Sequence, residues 1–253
     1  MNCCLETRNI TVSFGRKTVL DHISADFPAG SMTAVIGSNG VGKTSYLKAI
    51  SRLVRCRGDV CIVEDGERSY DRKRIAYVPQ LGSVQTRLTV FEMVLLGLVN
   101  NLKWHVTAEQ TDRVYAILKE LGLEPIATQP FNTLSGGQKQ LVSMAQSLIS
   151  KPKVLLLDEP TSALDLRHQL IVMELAKSYT RDMNAITVFV VHDLLLASRY
   201  GEQLLVLHDG GVLAFDRAER VLKPDLIEEV YGVTARVEKT PEGFMTVLPM
   251  HAL

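Results

Sequence analysis

Several things are missing from this sequence, and each absence removes a class of function. There is no net charge: 28 Lys and Arg offset 28 Asp and Glu. A nucleic-acid-binding or polybasic membrane-binding footprint is therefore not expected. There is no long hydrophobic run. Stretches such as Ile186 to Val191 fall far short of the ~20 apolar residues that cross a bilayer. The opening Met1-Asn2-Cys3-Cys4-Leu5-Glu6 lacks the basic and apolar regions of a secretory signal, so the expected compartment is the cytosol. Cysteine is scarce. Cys3, Cys4, Cys56 and Cys61 fit no zinc spacing, and free thiols are expected in a reducing compartment. No internal repeat or low-complexity tract is present, which leaves one large domain or two small ones for 253 residues. A hydrophobic content of 46% is enough to give either a core.

What the chain does contain is organised around Gly37-Ser38-Asn39-Gly40-Val41-Gly42-Lys43-Thr44. This stretch fits the phosphate-binding pattern G-x-x-x-x-G-K-[ST]. Ser31 to Ile36 before it reads as a buried strand, and Ser45 to Ile50 after it as the opening of a helix. Glycines let the backbone curl so that its N–H groups face phosphate oxygens, and the helix N-terminus adds unpaired donors. Lys43 is placed to reach β- and γ-phosphates, and the Thr44 hydroxyl suits Mg²⁺.

Around that loop the periodicity changes in blocks. Leu5 to Phe14 and Val19 to Phe27 alternate as antiparallel strands about a Gly15-Arg16-Lys17 turn. Gly58 to Val63 and Arg74 to Val78 read as further strands. From Leu81 to about Ser147 the pattern is helical. Leu88 to Gly97 predicts a buried helix stopped by its glycine. Thr107-Ala108-Glu109-Gln110 is a capping box opening a helix that ends at Gly122, and a helix is expected over Lys139 to Ile149. Val154 to Leu157 and Ala185 to Val191 read as buried parallel strands. Asp165 to Tyr179 and Pro224 to Tyr231 read as helices, and Gln203 to Leu207 with Gly211 to Phe215 as a hairpin. Two short strands finish the chain. The expected fold is α/β, with an antiparallel β region at the N-terminus and an inserted helical part.

Four further features carry chemistry. Asp158-Glu159 follows a buried strand directly, where ligands bind in open α/β sheets. The pair is either two loop acids or a Mg²⁺-holding acid beside one that deprotonates water. Leu134-Ser135-Gly136-Gly137-Gln138 precedes a helix, either as a plain N-cap turn or as a second anion site that makes two chains share a nucleotide. His192 ends a strand, where a histidine serves structure or donates to a γ-phosphate. Phe14 packs in the core or stacks on an adenine. His22, His105, His168, His208 and His251 are read as structural.

Taken in order, these motifs resemble the nucleotide-binding subunit of an ATP-binding-cassette (ABC) transporter over nearly the whole chain. Phe14 fits the A-loop, Gly37 to Thr44 Walker A, and Gln80 the Q-loop. Leu134 to Gln138 fits the LSGGQ signature, Val154 to Glu159 Walker B, Ser162 to Asp165 the D-loop, and His192 the switch histidine. The resemblance implies a single P-loop NTPase domain over 1–253. Its RecA-like core with the β subdomain would span 1–80 and 148–253, and its helical subdomain with the signature would span 81–147. It implies that Gly37, Ser38, Asn39, Gly40, Val41, Gly42, Lys43, Thr44 and Ser45 bind ATP, with Phe14 on the base. Thr44, Gln80 and Asp158 would hold Mg²⁺, Glu159 would be the catalytic base, and His192 would grip the γ-phosphate. Ser135, Gly137 and Gln138 would cap the ATP of a second copy in a head-to-tail dimer. Transmembrane permease subunits docking near Gln80, and indirectly an extracytoplasmic substrate-binding protein, would be the partners, with no nucleic acid. The place implied is the cytoplasmic face of the inner membrane.

Softer stretches resemble importers of iron–siderophore, haem and cobalamin chelates. They are Leu88 to Gly97 with Trp104, Leu164 to Leu170, and the tail from Val230 to Pro249. Leu98 to Asn101, Leu141 and Gln146 depart from that subfamily, which commonly carries basic residues there. Other cargoes, such as zinc or manganese import or export, are the alternative. A soluble ABC protein of translation or DNA repair fits less well. Such proteins carry two cassettes or a long coiled coil, whereas one cassette is present here and only residues 81–134 separate Gln80 from Ser135.

Overall fold

A computed structural model of the chain describes residues 3–80, 86–101 and 106–253. The resemblance at Trp104, the structural reading of His105 and the start of the helical segment at Leu81 lie outside these residues. Alternation of buried and exposed positions builds β1 (Cys3–Phe14) and β2 (Lys17–Pro28), joined antiparallel with Leu5 opposite Phe27. β4 (Arg57–Glu64) pairs with the other edge of β1, and the short β5 (Glu67–Ser69), absent from the sequence reading, completes a four-stranded sheet.

Continuous apolar runs build the second sheet. β3 (Met32–Ile36), β7 (Val154–Asp158) and β8 (Ile186–Val190) are buried at every position. With β6 (Ile75–Val78), β9 (Gln203–His208) and β10 (Gly211–Asp216) they form six strands in the order β10-β9-β3-β8-β7-β6. All the pairings except β9–β10 are parallel. The period of two divides each strand between two cores. Val154, Leu156, Val188 and Leu205 face α1 (Lys43–Ile50) and the antiparallel sheet, while Leu155, Leu157, Phe189 and Leu204 face the helical layer. Parallel strands covered on both faces are therefore what the continuous runs encode.

The helical layer is α2 (Val90–Leu95), α3 (Ala108–Glu120), α4 (Gly136–Leu148), α5 (Leu166–Asp182), α6 (Leu194–Tyr200), α7 (Ala218–Val221) and α8 (Pro224–Tyr231). The Thr107–Gln110 capping box forms with both arms in place. β11 (Val233–Lys239) and β12 (Met245–Ala252) close the chain as a hairpin.

Two helix expectations are corrected. Gly97 does not end a helix. α2 passes into a 3₁₀ segment, Leu96–Asn101, and Gly97 lies within it because α4 passes too close for a side chain. A Cβ there would sit 1.9 Å from the Gln146 carbonyl oxygen. Gly97→Ala is therefore expected to cost about 1–3 kcal/mol by overpacking. That lowers the thermal midpoint by roughly 2–4 °C per kcal/mol in a chain of this size. An unchanged midpoint in a melting scan would show that the contact of this 3₁₀ segment with α4 yields freely. The second correction concerns α4, which begins at Gly136 rather than Lys139. Ser135 is its N-cap, with Ser135 Oγ accepting from the Gln138 N–H and Gln138 Oε1 accepting from the Ser135 N–H. This reciprocal cap outweighs the poor helix propensity of two glycines.

Candidate nucleotide-binding site

The loop between β3 and α1 lies over the C-terminal edge of the parallel sheet. Gly37 has φ +146°, and a Cβ there would meet the Leu207 carbonyl oxygen at 2.3 Å, so only glycine lets the loop lie this close to β9. Lys43 opens α1 and folds back into the loop, its Nζ donating to the carbonyls of Gly37 and Ser38 at 2.8 and 2.9 Å. Burial pushes the Lys43 pKa down, opposed by the negative charges of Glu159 and Asp158.

Asp158 ends β7 and is almost fully buried. Its Oδ1 accepts from Thr44 Oγ1 and its Oδ2 from the Tyr77 hydroxyl, both at 2.8 Å. Burial, with the neighbouring carboxylate, drives the Tyr77 pKa up, so it remains a neutral donor. Glu159, one residue on, has φ +49°, a left-handed backbone that costs a non-glycine residue about 1–2 kcal/mol. Its surroundings enforce it. The Glu159 N–H donates to the Val190 carbonyl at 3.1 Å, and its own carbonyl accepts from the Ser162 N–H and hydroxyl. The turn swings the carboxylate toward two other strand ends. His192 Nε2 lies 2.7 Å from Oε1, and Gln80 Nε2 donates to Oε2 at 2.8 Å. Non-glycine strain held by several independent contacts is characteristic of functional sites.

Val19, Asn39, Gly40, Gly42, Lys43, Thr44, Ser45, Glu159 and His192 line one cleft of about 520 Å³. That volume suits a small polar ligand. The structure thus brings the phosphate loop, Asp158, Glu159, His192 and Gln80 together. Phe14 is not in the core: it ends β1 with 54% of its surface exposed, because the strand runs past the edge of the packed layer. Ser135, Gly137 and Gln138 are outside the residues lining this cleft, on the N-terminus of α4. The Gln138 side chain is engaged in the Ser135 cap. Sequence reasoning missed Tyr77, the α6 cap at Asp193, and Tyr231, which meets Gly37. The Asp193 cap had a local signal, an acid placed just before an apolar run. The two tyrosines had none.

The donor set suits Mg²⁺. A threonine hydroxyl beside a carboxylate offers the few hard oxygens that this ion takes from protein, the rest coming from phosphate and water. Among the described residues no group of three or more His, Cys, Asp or Glu forms a metal cage. All four cysteines are free thiols.

Sheet order, phosphate loop and acidic strand end together define a P-loop nucleotide-binding cassette. The ABC transporter family model matches residues 20–162, more than half of the chain. The hemin import ATP-binding protein HmuV of Vibrio parahaemolyticus is 34% identical, over 94% of this chain and 94% of its own. One solved structure, described as an inward-facing conformation of a metal-chelate type ABC transporter, is 26% identical with a TM-score of 0.85, covering 99% of this chain and 98% of that one. Another is an ATP-binding cassette solved as a dimer in a post-hydrolysis state with ADP and Pi. It is 28% identical with a TM-score of 0.72, over 85% of this chain and 98% of that chain. The chain belongs to the ABC transporter family. It is an ATP-binding, ATP-hydrolysing subunit, homologous to those that serve haem and siderophore importers.

Proposed function

We propose that the cleft hydrolyses Mg²⁺-ATP as half of a shared site. The observation that carries this reading is the position of Glu159. Its carboxylate is held between His192 and Gln80, at 2.7 and 2.8 Å, on the strand end whose Asp158 bonds Thr44 of the phosphate loop. In this reading the N–H groups of Gly37 to Ser45 and the Lys43 ammonium bind the β- and γ-phosphates, and Phe14 covers the adenine. Thr44, Asp158 and Gln80 hold Mg²⁺, which supplies charge neutralisation to the phosphates. Glu159 accepts a proton from the attacking water, and His192 donates to the γ-phosphate. Ser135, Gly137 and the N-terminus of α4 bind the ATP of a second copy, as the dimeric state of the related cassette supports.

Segments 1–80 and 148–253 act as the core, and 81–147 as the helical subdomain that carries the signature. Between them lies a groove of about 370 Å³ that includes Tyr77, Gln80, Gly97 and Gln146. A permease helix fits there and is linked to Glu159 through Gln80. In this reading the protein sits peripherally at the cytoplasmic face of the inner membrane, with an extracytoplasmic binding protein on the far side. Among the described residues no helix is long and apolar enough to cross a membrane. The cargo is a metal chelate, of iron–siderophore, haem or cobalamin type, as the hemin importer and the metal-chelate transporter support. The test is ATPase stimulation of the purified complex, with its permease and binding protein, across a panel of metal chelates. Stimulation by an iron chelate supports this cargo. Stimulation by free Zn²⁺ or Mn²⁺ alone favours the other reading.

A further inference from the structure

The phosphate loop is gripped by a residue that belongs to none of the nucleotide-binding motifs. Gly37 donates its backbone N–H to the Tyr231 hydroxyl at 3.2 Å, across 194 positions of sequence. The same Gly37 presents its carbonyl to Lys43 Nζ at 2.8 Å. One residue therefore links the cation of the loop to a phenol at the end of α8. Burial pushes the Tyr231 pKa up to about 12, so the acceptor stays neutral across the working range.

Tyr231 is itself firmly placed. Ile227 and Val230 bury the inner face of α8. Gly232 caps it, and the Gly232 carbonyl accepts from the Leu253 N–H at 2.9 Å, folding the tail back onto the helix end. At the other end of this unit the Met245 N–H donates to Ser198 Oγ at 2.7 Å. Ser198 lies on α6, whose N-cap, Asp193, follows His192 directly. The C-terminal unit, 224–253, thus spans from the phosphate loop to the helix that begins just after His192.

We propose that Tyr231 is a positioning residue for the nucleotide site, and that the C-terminal unit braces the phosphate loop from outside the cleft. This rests on the ATP-site reading above. Gly37 is one of the loop's three glycines, residues with more backbone freedom to lose than any other, and an external bond that fixes it removes ordering that ATP binding would otherwise have to impose. Tyr231 is not among the residues that line the cleft, so it acts on affinity rather than on the chemical step.

The test is Tyr231→Phe, which keeps the partly buried ring and deletes only the acceptor. With the purified chain, the KM for Mg²⁺-ATP and the Kd for Mg²⁺-ADP should each rise roughly fivefold, the scale of one lost hydrogen bond, while kcat stays within about twofold. Tyr179→Phe is the control. It removes a phenol bond to the Pro152 carbonyl, at 2.7 Å on α5, and should leave both constants alone. An unchanged KM in Tyr231→Phe, or an equal rise in both variants, overturns the positioning role. Lys43→Ala, assayed alongside, separates this from failure of the ATP site. If Lys43→Ala loses nucleotide and Tyr231→Phe does not, only the brace is lost. If wild-type binding is indifferent to Lys43→Ala, the site reading fails and the brace with it.

Discussion

Glu159→Gln stops turnover and leaves ATP bound. kcat is expected to fall roughly 10²–10⁴-fold, the range spanned by a positioned general base. The substitution is nearly isosteric, and an amide can still meet His192 and Gln80, whose nitrogens lie 2.7 and 2.8 Å from the carboxylate. The φ of +49° is fixed by the Val190 and Ser162 contacts, which involve only the Glu159 backbone, so the turn survives. What disappears is basicity. Removing one of the two carboxylates near Lys43 also lowers repulsion toward polyphosphate, so ATP affinity should hold or rise. Phosphate release and equilibrium ATP binding, measured on the same preparation, check both halves. Normal hydrolysis would remove Glu159 from the role of base.

Lys43→Ala has the opposite signature, because it acts before any chemistry. The side chain is 5% exposed and supplies the buried positive charge of the cleft. Charge-assisted hydrogen bonds of this kind are worth about 1.5–3 kcal/mol. The Kd for ATP and ADP should therefore rise roughly 10–100-fold. The carbonyls of Gly37 and Ser38 also lose their donor, which loosens the loop that Lys43 now ties together. Titration with a fluorescent ATP analogue measures the loss, and wild-type affinity in the variant would contradict the phosphate-loop assignment.

The sequence made some of this legible, and the reason is local. The strand–loop–helix at Gly37 to Thr44, the capping box at Thr107 and the buried run at Val154 are each written within a dozen residues. The same capping pattern stands at Thr89-x-x-Glu92 and Ser135-x-x-Gln138, and both form. In the second, two glycines follow the cap and read as turn rather than helix, which puts the expected start of α4 at Lys139. Gly97 looked like a stop because its reason is tertiary: the backbone of α4 passes over it. Phe14 gave no local sign of its exposure, which depends on where β1 leaves the packed layer. Likewise, nothing in the local pattern of Tyr77 or Tyr231 announces a bond to Asp158 or Gly37, because 81 and 194 positions separate the partners. Motif reading finds the residues proposed to bind phosphate. The bonds that hold those residues in place come from the fold.

The cleft is proposed as half of a site completed by Ser135 and Gly137 of a second copy. Its most direct test is the molecular mass in solution of Glu159→Gln with Mg²⁺-ATP, measured with and without Ser135→Arg. A monomer is expected without nucleotide and a two-chain species with ATP. Adding Ser135→Arg should return it to a monomer that still binds ATP through its own Lys43. An ATP-loaded monomer of Glu159→Gln, or a dimer indifferent to Ser135→Arg, would contradict the shared site.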